Sequence, residues 1–331
     1  MMWKQVVERH GPPEAMTMHN EALPAPGPAQ LRVVVERVGV ALSDVLMREG
    51  RYPGGPVPPY TPGWDVVGVV DAVGRGVHPR ALGMRVAALV FRGGYATHAL
   101  VDERLAAPVP ADLSSDAAAC LILNYATAWR MITGVACGRE GERLLVRGAG
   151  GGVGTAALDI ARLLGMSAWG AASPAKTRTV ERLGATWIAD ERLEVAAEAV
   201  GGFDIVLDPL GGRETWRAMR LLKPHGRVVS YGFTALPEAL QPLRVGMHLG
   251  MMRLRTLAAR DRSARFFRLS KYVAAEPAGY RNDLAELLQH ASAGRLTPLV
   301  DEVLPLRAAP EAHRRLQASA VTGKLLLDPK S

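Results

Sequence analysis

The sequence predicts an α/β protein that combines a doubly wound parallel sheet with a β-rich part. From about residue 125, strand-like and helix-like stretches alternate at the pace of βαβ units. Those strand-like stretches are apolar along their length, which is typical of strands that helices cover on both faces. Before residue 120, short stretches rich in β-branched residues are separated by turns. The 331 residues are enough for two domains with a large core.

The β-rich part has two strand-like stretches joined by a loop. The stretches are QLRVVVERVGV at 30–40 and DVVGVVDAVG at 65–74, and YPGGPVPPYTPG at 52–63 lies between them. Proline and glycine in this loop oppose regular structure, so we expect irregular backbone there.

The central part contains five predicted strands, and the first four are each followed by a predicted helix. In chain order these pairs are RLLVRGA and VGTAALDIARLLG, SAWGAAS and KTRTVERLGA, TWIAD and RLEVAAEAV, FDIVLD and RETWRAMRLLK, and GRVVSYG is the fifth strand. Gly165, Gly184 and Gly201 follow three of the helices, where a left-handed cap is expected.

The C-terminal segment does not continue this alternation of strands and helices. It reads as a helix RNDLAELLQHASAG, a strand LVDEVLPL, a helix APEAHRRLQAS and a strand GKLLLDP. We expect these elements to pack back on the β-rich part.

The net charge of +8 is concentrated in one segment. Residues 241–281 contain nine Lys or Arg against two Asp or Glu. The stretch DRSARFFRLSKYV at 261–273 has the periodicity of an amphipathic helix. Its basic face is either a solvated surface or a landing surface for an anionic partner. No nucleic-acid-binding motif of interleaved basic and aromatic residues is recognised in the sequence, which argues against nucleic acid.

Composition excludes several classes of protein. No apolar run approaches the length of a membrane span, and the N-terminal residues lack a secretory signal, so we expect a cytoplasmic protein without membrane contact. The two cysteines, Cys120 and Cys137, are read as buried small hydrophobic residues. Two thiols cannot build a four-cysteine zinc site, and no metal is expected.

The stretch LLVRGAGGGVG at 144–154 places an almost bare backbone between a strand and a helix. Gly148, Gly151 and Gly154 form a G-x-x-G-x-x-G pattern. Free N–H groups and the helix dipole make such a junction an anion site. With four more strands following, the pattern predicts a dinucleotide site.

The end of the second strand predicts which dinucleotide binds. Folds that select NAD place an acidic residue there, about 20 residues after the glycine loop, for the ribose 2′-hydroxyl. Here Ala172 and Ser173 occupy that position, and Lys176 and Arg178 follow. A hydroxyl and two cations suit a 2′-phosphate, so the predicted cofactor is NADPH.

Taken together, the motifs resemble the zinc-independent, zeta-crystallin-like quinone oxidoreductases of the medium-chain dehydrogenase/reductase superfamily. The resemblance lies in LSDVLMREGRYPGGPVPPYTPGWDVVGVVDAVG, TAW, GAGGGVGTAALDIARLLG, VLDPLGG and AHRRLQASAVTGKLLLDP. It implies a Rossmann domain for NADPH at 125–267. It also implies a GroES-like, partly open β-barrel substrate domain at 1–124 and 268–331.

The resemblance also implies roles for individual residues around the cofactor. Gly151, Gly152 and Val153 would contact the pyrophosphate, Ser173 and Lys176 the 2′-phosphate, and Thr127 would lie near the nicotinamide. Ser230, Tyr231 and Gly232 would line the groove after the fifth strand, and Gly323 and Lys324 would lie in a loop beside the cofactor. Zinc-dependent relatives have a histidine where this chain has Trp64, so zinc is not expected.

Without a metal, the substrate must already be electrophilic. The resemblance implies an NADPH-dependent reductase that transfers hydride to the β-carbon of an enone or enoyl compound, or reduces a quinone. In the family's N-x-x-D-x-Y stretch, Ala41 and Leu46 replace the Asn and the Tyr, and Asp44 is read as a structural hydrogen-bond acceptor. An alternative is a biosynthetic enzyme on this fold with redox-neutral chemistry.

The replaced Asn and Tyr leave Tyr52 as the first candidate for a proton donor, with water or Lys176 as alternatives. An apolar substrate pocket is expected from six residues, which are Ala41, Leu42, Leu46, Tyr60, Trp64 and Trp129. The substrate is expected to be small and hydrophobic, either free or tethered to a carrier protein or coenzyme A. The resemblance implies a dimer or a tetramer, and we expect a homodimer.

Overall fold

The structure is a computed structural model that describes residues 1–233, 246, 247, 249–252, 256 and 261–331. The chain forms two compact units. The first unit comprises Met1–Ala126 and Ser270–Ser331, and the second comprises Thr127–Leu269. That one unit binds substrate and the other binds NADPH stays a prediction.

The described strands of the first unit form a hairpin and a larger, mostly antiparallel sheet. The hairpin pairs β1 (Met2–Val7) with β2 (Met16–Glu21). The strands of the larger sheet are β3 (Gln30–Val40), β4 (Asp65–Val73), β5 (Arg85–Leu89), β6 (His98–Asp102), β7 (Ala106–Pro108), β14 (Val300–Pro305) and β15 (Lys324–Asp328). Its order is β14-β15-β3-β4-β5-β7, with β6 paired to β3.

The long strand β3 organises this sheet. One stretch of β3 pairs with β6, another pairs with β15, and β4 lies along its other side. Val33, Val35 and Val38 on β3 are fully buried, as expected for β-branched residues on a core-facing strand. Because β15 pairs with β3, the chain end packs on the β-rich part as the sequence predicts.

The described strands of the second unit form an all-parallel sheet. They are β8 (Arg143–Arg147), β9 (Ser167–Ala171), β10 (Thr186–Ile188), β11 (Phe203–Asp208), β12 (Leu222–Ser230) and β13 (Ser263–Phe266). Their order is β10-β9-β8-β11-β12-β13, so the order reverses at β8. In α/β folds the carboxyl ends of the strands beside such a switch point form the ligand site.

The four helices after β8, β9, β10 and β11 lie where the sequence predicts them. The described α-helices include Leu42–Arg48, Ser115–Cys120, Ala126–Trp129, Gly152–Leu163, Thr177–Arg182, Leu193–Val200, Arg213–Arg220, Leu269–Ala275, Pro277–Ser292 and Ala309–Gln317, and π-helical segments span Leu121–Tyr125 and Arg130–Val135. Gly165, Gly184 and Gly201 have φ of +64°, +80° and +73°. These left-handed residues end three helices, which confirms the predicted caps.

The predicted amphipathic helix over 261–273 is wrong. Ser263–Phe266 is a strand that pairs in parallel with β12, and the helix begins only at Leu269. Ala264 is buried and Arg265 is exposed, which is the period-two alternation of a strand. Pairing with β12 gives the main-chain N–H and C=O groups of this strand their hydrogen-bond partners. This tertiary pairing overrides the helical periodicity of the local sequence. Arg244, Arg253, Arg255 and Arg260 of the basic segment lie outside the described residues.

Candidate functional site

The glycine loop in the second unit connects β8 to the helix Gly152–Leu163. The first main-chain bond of this helix runs from Thr155 N to Gly151 O at 2.8 Å, and no side chain of the described residues caps its N-terminus. The three preceding N–H groups, from Gly152 to Gly154, therefore have no partner within the helix. Gly152 and Val153 are only half-buried. This junction offers free donors and the positive end of a helix dipole to an anion.

The side chain of Lys176 lies across the glycine loop. A Cβ placed on Gly150 would lie 2.1 Å from Lys176 Cδ, so a larger residue at position 150 would displace the lysine stem. Ser173 is exposed on the turn after β9, and Arg178 is exposed in the helix Thr177–Arg182 that follows this turn. The structure thus brings Lys176 to the glycine loop, with Ser173 on the same turn and Arg178 on the helix that follows.

The turns after β8, β11 and β12 are packed tightly against one another. A Cβ on Gly148 would lie 3.2 Å from Pro209 Cγ, and one on Gly232 would lie 2.2 Å from Pro209 O. Tyr231 N donates to Asp208 O at 3.0 Å. The Ser230 hydroxyl is buried and has no hydrogen-bond partner among the described residues. The predicted residues of the fifth strand therefore lie beside the glycine loop, and their contacts with a cofactor stay predictions.

Ionic contacts hold the ends of β8 and β11 together. The buried Arg147 guanidinium donates to Glu214 Oε2 at 2.6 Å and to Asp190 Oδ1 at 3.1 Å, and it lies 3.7 Å from Asp208 Oδ1. Asp208 accepts from the Thr215 hydroxyl at 2.6 Å. These contacts fix the position of the strand that leads into the glycine loop.

The first unit contains a fully buried ion pair. Lys324 Nζ donates to Asp65 Oδ2 at 2.9 Å, and the two residues are 2% and 0% exposed. A Cβ on Gly39 would lie 2.3 Å from that same carboxylate oxygen, so the glycine makes room for the pair. Burial raises the pKa of Asp65, and the Lys324 ammonium opposes this shift. Since the ammonium of Lys324 is already bound, its predicted contact with the cofactor stays a prediction.

A second buried network links the helices Leu42–Arg48 and Ala309–Gln317. Arg48 Nε donates to His313 Nδ1 at 3.2 Å, and His313 Nε2 lies 3.1 Å from the Tyr95 hydroxyl. A guanidinium cannot accept, so Nδ1 must be the acceptor and Nε2 carries the proton. His313 therefore donates to Tyr95, and Tyr95 donates to Asp44 Oδ2 at 3.5 Å.

Asp44 ends this network and has the structural role that the sequence predicts. It accepts from the main-chain N–H groups of Ala41 at 3.0 Å and Gly63 at 2.9 Å. Burial raises the pKa of Asp44 to about 7, although these two donors act in the opposite direction. Asp44 thereby ties the start of the helix Leu42–Arg48 to the loop before β4.

His313 should make the protein less stable in acid. Burial, with a smaller contribution from Arg48, lowers the pKa of His313 from 6.5 to about 3. The unfolded chain therefore binds this proton first as the pH falls, so the stabilisation is full above pH 6.5 and is lost towards pH 3. We expect His313→Gln, whose amide can both accept from Arg48 and donate to Tyr95, to lose less stability on acidification. The difference between the two proteins should change by up to about 2 kcal/mol between pH 7.5 and pH 5.

Urea denaturation at a series of pH values measures this difference. Asp44 acts with the opposite sign: its raised pKa means that its contribution is lost as the pH rises towards 7. Because Asp44 is present in both proteins, its effect cancels in the comparison. If the stabilities of wild type and His313→Gln change in parallel with pH, His313 has the same proton affinity in the folded and the unfolded chain, and this prediction is wrong.

The predicted substrate-pocket residues of the first unit lie on the helix Leu42–Arg48 and on the loop before β4. Trp64 is buried, and its ring meets those of Tyr52 and Phe91 edge-on at 5.8 and 5.4 Å. The Tyr60 hydroxyl and Trp64 Nε1 are buried without a hydrogen-bond partner among the described residues. The structure thus brings Tyr52 and Trp64 together in an aromatic cluster.

The remaining pocket candidates differ in burial. Ala41 is buried, Leu46 is half-buried and Leu42 is 41% exposed. Thr127 and Trp129 are buried in the second unit. The proposed roles of all these residues stay predictions.

Two family models match the chain. The alcohol dehydrogenase GroES-like domain covers residues 27–111, and the zinc-binding dehydrogenase model covers residues 183–327. The synaptic vesicle membrane protein VAT-1 homolog of Rattus norvegicus is 33% identical over 318 residues, which are 92% of this chain and 78% of that protein. The chain belongs to the medium-chain dehydrogenase/reductase superfamily. As a member, it is an oxidoreductase.

Two solved structures of this superfamily have the same fold. The Escherichia coli quinone oxidoreductase complexed with NADPH matches with a TM-score of 0.86 and 25% identity, over 99% of this chain and 100% of that one. The CurK enoyl reductase matches with a TM-score of 0.84 and 26% identity, over 99% of both chains. They confirm the α/β fold with a Rossmann sheet and a GroES-like part.

In this medium-chain dehydrogenase/reductase, the described residues contain no group of three His, Cys, Asp or Glu that could hold a metal ion. Cys120 is buried, but Cys137 is exposed, so the burial predicted for it is wrong. Cys137 follows a helix end with φ of +50°, and this turn leaves its side chain on the surface. No helix in the described ranges is long and apolar enough to cross a membrane.

Sequence reasoning missed the two buried networks of this oxidoreductase. Arg48, Asp65, Tyr95 and His313 are functional in the sense that they fix the predicted pocket helix and sheet. Their partners lie far apart in the chain: the residue numbers differ by 218 for Tyr95 and His313 and by 259 for Asp65 and Lys324. One local feature pointed to such a network: a charged residue in an otherwise apolar strand, such as Asp65 in DVVGVV.

Proposed function

We propose that this protein is an NADPH-dependent reductase of quinones or of α,β-unsaturated carbonyl compounds. Bound NADPH would supply a hydride to the β-carbon of the substrate. Such substrates are electrophilic without a metal, because negative charge moves onto the carbonyl oxygen. The observation that carries the proposal is the glycine loop with free N–H donors, across which Lys176 lies.

The residues present fit this cofactor. The half-buried backbone at Gly151, Gly152 and Val153 would hold the pyrophosphate at a helix N-terminus. Lys176 and Ser173 on the turn after β9, with Arg178 on the following helix, would hold the 2′-phosphate. No acidic side chain stands at the end of β9 to repel that phosphate or bind a 2′-hydroxyl.

The first unit would bind the substrate. Trp64, Tyr52 and Phe91 form an aromatic cluster suited to a planar quinone or enone. The Tyr52 hydroxyl would donate a hydrogen bond to the substrate and then a proton, since Ala41 and Leu46 offer none. The similarity to an enoyl reductase and to quinone oxidoreductases supports these two substrate classes.

Lys176→Met should raise the Kd for NADPH by roughly 10- to 100-fold, because a charged hydrogen bond to phosphate is lost. The Kd for NADH, which lacks that phosphate, should change by less than about three-fold. Calorimetric titration of both cofactors measures this change in preference. The exposed Lys271→Met is the matched control for the loss of one positive charge. A wild-type protein that prefers NADH would overturn the proposed cofactor.

Turnover tests the rest of the proposal. Wild-type protein should oxidise NADPH in the presence of 1,4-naphthoquinone or a simple enone, as followed at 340 nm. Tyr52→Phe should slow this oxidation and leave the Kd for NADPH unchanged. Tight NADPH binding with no oxidation by any quinone or enone would instead favour redox-neutral chemistry on this fold.

A further inference from the structure

The turn that carries Ser173 and Lys176 is held by a side chain from the neighbouring strand. Trp187 on β10 donates its indole N–H to the main-chain oxygen of Ala172 at 2.9 Å. Trp187 pairs with Gly170 in the parallel ladder between β10 and β9, so its indole reaches forward by two residues. Ala172 is the residue directly before Ser173.

Two successive carbonyl groups at this point are held from opposite sides. The oxygen of Ala171 accepts from Ala149 N at 3.0 Å, on the side of β8. The oxygen of Ala172 accepts from Trp187, on the side of β10. Both peptide planes that lead into Ser173 are therefore fixed.

The orientation of the second plane has a consequence for Ser173. In a trans peptide the N–H points away from the preceding carbonyl oxygen. With the Ala172 oxygen held towards β10, the Ser173 N–H must point towards β8 and the glycine loop. In the described part of the chain this N–H donates to no main-chain or side-chain group, and Ser173 is exposed.

Two further hydrogen bonds hold the turn that follows Ser173. Lys176 N donates to Ser173 O at 2.9 Å, and the Thr177 hydroxyl donates to Pro174 O at 2.8 Å. The Lys176 stem then crosses Gly150. The Ser173 N–H and the Lys176 side chain thus both extend from one braced turn towards the glycine loop.

We propose that the main-chain N–H of Ser173 binds the 2′-phosphate of NADPH, and that Trp187 is the positioning residue that aims it. This inference rests on the proposed cofactor and adds a specificity determinant to it. A fixed N–H selects the doubly charged phosphate, while the 2′-hydroxyl of NADH gains little from it.

Proline at position 173 tests the N–H directly. Ser173 has φ of −58° and ψ of 151°, which proline can adopt, even before Pro174. Ser173→Ala removes only the hydroxyl, whereas Ser173→Pro also removes the N–H. We expect Ser173→Pro to bind NADPH roughly ten-fold more weakly than Ser173→Ala, with equal Kd for NADH. Equal NADPH affinity of the two variants would overturn the inference.

Trp187→Phe tests the positioning role, because it keeps a ring and loses the donor. Its Kd for NADPH should rise by roughly three- to ten-fold while its Kd for NADH stays unchanged. Trp169→Phe is the control, since Trp169 on β9 packs against Phe203 in the core. An unchanged NADPH preference in Trp187→Phe, or equal losses for both cofactors, would contradict the role. If wild type prefers NADH, the proposed cofactor fails. If wild type prefers NADPH and the variants keep that preference at its full wild-type size, only this inference fails.

Discussion

Lys324→Met should lower the free energy of unfolding by about 3–5 kcal/mol, because it leaves a buried carboxylate without its counter-ion. Asp65 is 0% exposed, and its second oxygen, Oδ1, has no hydrogen-bond partner among the described residues. Methionine fills much of the lysine volume, so the charge is the main loss. The variant can escape part of the penalty by protonating Asp65.

That escape gives the effect a pH dependence. Burial already raises the pKa of Asp65, and the loss of the ammonium removes the main opposing influence. A carboxyl whose folded pKa is raised contributes stability that is present in acid and lost as the pH rises. The destabilisation by Lys324→Met should therefore be larger at pH 8 than at pH 5, as measured by chemical denaturation.

Two control variants separate charge from packing. Lys330→Met removes an exposed ammonium from the same chain end and should leave stability within about 0.5 kcal/mol of wild type. The double variant Asp65→Asn with Lys324→Met removes both charges and should recover most of the lost stability. If Lys324→Met alone stays within 1 kcal/mol of wild type, the buried pair is not a structural requirement.

The Rossmann sheet and its glycine loop could be predicted because their signals are local. Strand, loop and helix occupy consecutive residues around Gly148–Gly154, and the apolar strands alternate with amphipathic helices. The same locality explains why the turn with Ser173 and Lys176 was found. Its orientation by Trp187 was not, since only the pairing of β10 with β9 brings the indole to the Ala172 oxygen.

The wrongly predicted helix at 261–273 has the opposite origin. Basic and apolar residues there recur at a helical spacing by chance, while β12 offers an open edge with which Ser263–Phe266 pairs. The strand that pairs with Ser263–Phe266 lies more than 30 residues earlier in the chain, beyond the short stretch of sequence from which periodicity is judged. The buried networks around Asp65 and His313 escaped for the same reason, because a side chain's partner is set by topology.

Of the glycine-to-alanine substitutions in the glycine loop, Gly154→Ala should reduce activity and stability most. Its Cβ would lie 2.3 Å from Gly148 O and 2.7 Å from Ala149 Cα, and both atoms belong to the backbone. No side chain can turn aside, so the helix Gly152–Leu163 must shift away from β8. A displacement on the order of 1 Å costs about 100-fold in rate. We expect a loss of this size in kcat/KM for NADPH, together with about 1–3 kcal/mol of stability.

Gly151→Ala separates this effect from simple crowding of the ligand. The nearest atom to its Cβ is Gly148 O at 3.5 Å, an ordinary contact, and its φ of −84° suits alanine. The variant should stay within about 1 kcal/mol of wild type in stability, the cost of alanine at a helix N-cap. It should still bind NADPH more weakly, because its methyl group would occupy space that the pyrophosphate needs. If Gly154→Ala binds NADPH as tightly as wild type does, the junction of loop and helix does not set the position of the cofactor. If Gly151→Ala binds NADPH as tightly as wild type does, the pyrophosphate does not lie against Gly151.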